Sequence, residues 1–267
     1  MTTVLLAFLY TCCQLAGGVA GGSTPAPGLD TVEQHERKHV VFLISKDENN
    51  YEAHRTIPEF AQELEEQHPY KTTVLRGEGE RTAFHFPGLE VLEEADLLVI
   101  FARRVALTPG QMNRIKTYLK AGRPLLGIRT ANHAFSVREE IEEGYEDWWA
   151  FVPDILGCKN RGYGPVAYGT DVSVVQEMQN HPIIRNLPEL EWHSEGNVYK
   201  VAPLVDDHSE VLIRGTAEGN TEPVAWVRET ASGSRVFYTS LGHPSDFETD
   251  TFLSLLTNAV QFLTDTE

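Results

Sequence analysis

Apolar residues along this chain come in short runs closed by polar turns, and the runs alternate with stretches of helical spacing. Lys38 to Ile44 (KHVVFLI) is apolar almost throughout, which predicts a strand buried on both faces. A polar loop, Ser45 to Tyr51, follows it. Ile57, Phe60, Ala61 and Leu64 then recur at helical intervals, predicting a helix over Ile57 to Glu66 with Pro58 near its start. Lys71 to Leu75 reads as a second strand, Leu89 to Glu94 as a short helix and Asp96 to Phe101 as a third strand. Thr108 is placed to cap a helix with Pro109 in its first turn, stopping at Ala121-Gly122. Leu125 to Ile128 is the fourth strand. Strands and helices in this rhythm predict one mainly parallel sheet with helices on both faces.

Beyond Phe135 the rhythm is lost. Glu139 to Asp147 is acidic, and Lys159 to Tyr168 is rich in Gly and Tyr. Asp171 to Gln176, Glu210 to Arg214, Val224 to Arg228 and Arg235 to Leu241 predict strands of mixed direction, the last two joined by a turn at Ser232-Gly233. The C-terminal half is therefore a partly antiparallel extension of the same sheet. Phe252 to Leu263 closes the chain as an amphipathic helix.

The fourth strand empties into Arg129, Thr130, Asn132 and His133 within five residues. Ligands of open parallel sheets bind beyond the carboxyl ends of the strands, so this corner is a candidate site; its plain alternative is a polar turn capping a helix. Three further segments carry chemistry. They are Asp47 to His54, Trp192 to Tyr199 with His193 and Glu195, and Leu241 to Asp246 with His243. Two of these also follow predicted strands.

Composition narrows the chemistry. A formal charge of −17 excludes the phosphate neutralisation on which nucleic-acid binding rests, and disfavours anionic lipid. Val4 to Tyr10 and the small residues after it read as an export signal, with Gly18-Val19-Ala20 as a candidate cleavage site and Cys12 or Cys13 open to lipidation; the alternative is a cytoplasmic protein with a ragged end. That run is too short to span a bilayer. Residues 1–28 are then signal and linker, and 36–265 the folded domain. Cys158 is the only cysteine outside this segment, which leaves no multi-cysteine metal site. No dinucleotide, phosphate-loop or serine-elbow motif is present. The histidines and Glu195 are candidates for acid–base work, or for a divalent metal polarising a carbonyl.

Several of these words resemble the ThuA-like, or trehalose-utilisation, family: Asp96-Leu-Leu-Val-Ile with the Thr108-Pro109 helix, Gly122 to Phe135, His181-Pro182, Glu195 with Tyr199, and Pro223 to Trp226 through Arg235 to Pro244. The resemblance implies the flavodoxin-like three-layer fold of class I glutamine amidotransferases. Those enzymes carry a cysteine in a Gly-x-Cys-x-Gly elbow where this chain has Arg129, and a His-Pro-Glu where it has His243-Pro244-Ser245. The nucleophile is gone, so amidotransferase activity is not expected. The resemblance implies instead a sugar or oxo-sugar ligand. On that reading Arg129, His133, His243 and Glu195 are catalytic, and Asn132, Tyr199, Trp192 and His54 bind substrate. Trp148-Trp149 would add a stacking surface. A non-catalytic sugar-binding module is the alternative.

Overall fold

Strand β1 (Lys38–Ser45) is buried along nearly its whole length, as its unbroken apolar run requires. In this computed structural model, which describes residues 37–265, it is the third strand from one edge of a ten-stranded sheet. Helix α1 (Ala53–Gln67) follows, then β2 (Tyr70–Glu80), β3 (Ala83–His85), β4 (Leu97–Phe101), α2 (Pro109–Lys120) and β5 (Leu125–Ile128). The second half adds β6 (Thr170–Val174), β7 (Glu191–Ser194), β8 (Glu210–Ala217), β9 (Asn220–Glu229), β10 (Arg235–Thr239) and α3 (Asp250–Thr264).

The sheet order is β3-β2-β1-β4-β5-β10-β9-β8-β6-β7. Strands β2, β1, β4, β5 and β10 run parallel, so their carboxyl ends share one edge. From β9 outward every pairing is antiparallel, and β3 is antiparallel on β2. Alternate residues of β1 point to opposite faces. Val40, Phe42 and Ile44 meet α1 and α3, whereas Val41 and Leu43 meet α2. Each face therefore has its own apolar layer, and each layer draws on both halves of the chain.

Local rules account for the helices. Thr108 accepts from the Gln111 N–H to cap α2, and Lys120 sits at the negative end of its dipole. Thr249 caps α3 in the same way. Helix α1 starts a turn earlier than its apolar spacing suggests, so Pro58 lies inside it rather than in its first turn. Strands β3 and β7 were not expected from the sequence. Residues 1–28, with the export signal and Cys12 and Cys13, lie outside the described residues. Among the described residues no helix is long and apolar enough to cross a membrane.

Candidate functional site

The carboxyl ends of β1, β4 and β5 are followed by non-glycine residues in the left-handed region: Tyr51 and Glu52 (φ 48° and 52°), Arg104 (φ 51°) and Arg129 (φ 43°). Such conformations are uncommon outside glycine and persist only where the surroundings hold them. Here a buried network does so. The Asn50 amide donates to Ser45 O (2.8 Å) and Phe101 O (2.9 Å), tying the β1 loop to the end of β4. The Thr130 hydroxyl donates to Asn50 Oδ1, and the Tyr238 hydroxyl donates to Arg129 O at 2.7 Å. Gly127 leaves room for this turn, because a Cβ there would lie 3.0 Å from the Tyr238 ring.

Arg129 is the centre of the arrangement, though not as a pocket-facing cation. Its side chain is 1% exposed. Nη1 donates to Ser240 O at 2.7 Å and Nη2 to Asn197 Oδ1 at 3.0 Å. The guanidinium carbon lies 3.9 Å from the Tyr51 ring centre and 4.9 Å from that of Tyr199. Arg129 lines neither cavity of this edge, so it meets protein groups where a ligand was expected.

The two histidines flank this stack. His243 approaches Tyr51, with ring centres 6.2 Å apart, and His133 approaches Tyr199 at the same separation. Tyr51 belongs to the α1/α3 layer and Tyr199 to the α2 layer. His133 and His243 therefore open into separate cavities on the two sides of Arg129 rather than into one. The His243 cavity, of about 260 Å³, is lined also by Tyr51, Pro244, Glu48 and Glu52. Its imidazole bonds Ser245 Oγ at 2.8 Å. Burial lowers the His243 pKa and Arg129 lowers it further, against Asp246, Glu195 and Glu52.

The His133 cavity is about 310 Å³ and is lined by Arg104, Asn132, His133, Arg138, Lys159 and Asn160, with Trp149 at its wall. Arg104 is brought there by backbone bonds from Arg104 N to His133 O (3.1 Å) and Val105 N to Ala134 O (2.7 Å). His133 Nδ1 has two amide neighbours, Asn132 Oδ1 and, farther off at 3.3 Å, Asn160 Nδ2; the closer one is an acceptor, and with it the ring proton sits on Nδ1. Nε2 then has no hydrogen-bond partner among the described residues and is free to accept. Burial holds the His133 pKa well below its ordinary value, and Arg104, Arg103, Arg138 and Arg129 depress it further. The ring is a neutral base at pH 7. A larger groove, about 700 Å³, runs along α2, but no histidine, cysteine or strand end lines it.

The remaining expected residues are spread out. Glu195 is exposed and lines neither cavity, though its charge reaches His243. Trp192 packs on the α1/α3 layer from β7, and His54 sits half-buried in the first turn of α1. Trp148 packs into the α2 layer beside Phe135 and Phe151, leaving Trp149 alone as an aromatic wall. Among the described residues no three His, Cys, Asp or Glu side chains are grouped to hold a metal ion, so the donor set does not fit the expected divalent site. Sequence reasoning passed over Arg104, Arg138, Lys159 and Asn160. The one signal is for Arg104, since Arg103-Arg104 comes one residue after β4, at a strand's carboxyl end.

Residues 40–263 match the family described as ThuA, trehalose utilisation. A ThuA-like protein from Bacteroides uniformis superposes with a TM-score of 0.63 at 16% identity, covering 90% of this chain and 95% of its own. One from Parabacteroides merdae gives 0.62 at 12% identity, covering 85% and 90%. A β-galactosidase from Rahnella sp. R3 gives 0.50 at 12% identity, where 82% of this chain matches 31% of that one. No curated protein matches the chain. With 40–263 of 267 residues matched, the chain belongs to the ThuA family.

Proposed function

We propose that the protein is a carbohydrate-processing enzyme acting on a sugar or oxo-sugar, with His133 as its acid–base residue. The observation that carries this is the neutral, nine-tenths buried imidazole that lines a polar cavity at the strand ends. A base that stays unprotonated can take a proton from a hydroxyl, or from carbon beside a carbonyl, and return it. Trp149, 54% exposed, offers one face to a pyranose ring. Asn132 and Asn160 supply the amides that hydroxyl groups need.

The parentage implied is that of class I glutamine amidotransferases, with the parallel half of the sheet as the flavodoxin-like core. Amidotransferase chemistry does not go with it here. Arg129 holds the elbow position. Cys158, the only cysteine among the described residues, is fully buried and its thiol is pushed up to about 12 by burial. No thiolate is available to attack an amide. A second reading, a sugar-binding module without turnover, is favoured by one feature: Glu195 is not beside His133, and no carboxylate lines that cavity.

Turnover assays separate the two. The purified chain should convert at least one member of a panel of neutral, oxidised and oxo-sugars, followed by NMR of substrate and product. His133→Ala should lower that rate by about a hundredfold or more, the usual loss of a general base. Retained turnover in His133→Ala would remove the assignment, and binding without turnover in the parent would favour the module.

A further inference from the structure

We propose that the His133 cavity selects sugars bearing an anionic group, a carboxylate or a phosphate, which Arg104, Arg138, Lys159 and the Asn132 amide hold. This rests on the sugar reading of the same site and narrows its substrate class.

The first observation is electrical. The chain carries 39 acidic side chains against 22 basic ones, yet three cationic side chains and no carboxylate line this cavity. Several cations elsewhere are paired with carboxylates. Arg103 bonds both oxygens of Asp47 at 3.1 and 3.2 Å, Arg81 pairs with Glu139, Lys116 with Glu146 and Arg228 with Asp206. Among the described residues Arg104, Arg138 and Lys159 have no such partner and, unlike the other unpaired cations, they line one cavity together. Arg104 is the most telling of them. It is 5% exposed, sits at φ 51° and spends Nη1 on Ser136 O. Burying a cation without a counter-ion is costly, and a bound anion would relieve that cost.

The second observation is independent of charge. Asn132 is 1% exposed, lines the cavity and has no hydrogen-bond partner for Nδ2. A buried amide N–H left unmade costs free energy that an acceptor entering the cavity would recover. A planar guanidinium, an ammonium and an amide N–H around one space suit the several oxygens of a carboxylate or phosphate. The volume, about 310 Å³, takes a monosaccharide of that kind.

Calorimetry on the full chain tests this with glucuronate, galacturonate, gluconate and glucose 6-phosphate beside glucose, galactose and trehalose, and with inorganic phosphate as a bare-anion control. At least one anionic sugar should bind about tenfold or more tighter than its neutral counterpart, the effect of one charge-assisted contact. The uronates and gluconate against the sugar phosphate tell which anion is preferred. Arg138 and Lys159 are exposed, so Arg138→Gln with Lys159→Gln should fold normally, checked by melting, and reduce the preference to about threefold or less. Neutral sugars binding as tightly as anionic ones would overturn the inference and leave the sugar reading standing. Inorganic phosphate binding with no sugar, or an undiminished preference in the double variant, would also overturn it; the first result would remove the sugar reading as well.

Discussion

His133 is where a single side chain sets a property of the whole protein. Its pKa lies well below 6.5 in the folded state because burial and neighbouring cations oppose its charge. In the unfolded chain it titrates near its ordinary value, about 6.5. Above that pH neither state is protonated and the group contributes no pH dependence. Below it the unfolded state binds a proton that the folded state refuses, so stability falls with pH by up to about 1.4 kcal/mol per unit from this residue. His133→Gln should flatten the slope measured by urea unfolding between pH 6.5 and 5; an unchanged slope would mean the ring is protonated when folded. Much of this corner was legible from the sequence: Arg129, Asn132 and His133 follow an apolar strand at the edge where sites form. What could not be read was their separation. Four polar residues in five positions gave no sign that Arg129 would turn inward between Tyr51 and Tyr199 while His133 faced a cavity. The tyrosines come from segments 78 and 70 residues away on either side, and only tertiary packing brings them together.

At the level of elements, the connection after β7 presses its backbone onto the β5 turn. A Cβ on Gly196 would lie 2.8 Å from Arg129 Nη1 and 3.0 Å from Nη2, atoms already fixed by Ser240 and Asn197. Gly196→Ala should therefore lose about 1–3 kcal/mol, the usual cost of overpacking a filled site. Gly110→Ala, in the first turn of α2 with nothing within 4 Å of the new methyl, should be neutral or slightly stabilising. Equal unfolding midpoints for the two variants would refute the close approach. The elements themselves divide by burial. Strands β1, β4 and β5 and helix α2 were plain because an unbroken apolar run, or a cap-proline-glycine frame, marks each of them. Strand β7 buries only Ser194 of its four residues, and the far half of β2 is polar as far as Glu80. Both lie toward sheet edges, where backbone pairing supplies the order and the side chains carry little pattern.

The molecule as a whole joins a strongly acidic chain to one unpaired basic cavity. At distances beyond the Debye length, about 10 Å in 0.1 M salt, an approaching anion meets the net negative charge; inside the cavity it meets Arg104, Arg138 and Lys159. The two fields have opposite signs, so added salt acts on arrival and departure in different ways. Screening the exterior should raise the association rate of an anionic sugar, whereas screening the cavity should raise its dissociation rate. Stopped-flow binding between about 20 and 300 mM salt should show both rates climbing, a pattern unlike steered association, where salt slows arrival. A falling association rate would show that the local basic patch governs the long-range encounter. For a neutral sugar both rates should stay level. The cavity would then behave as a gate whose traffic, in both directions, is set by the ionic strength outside it.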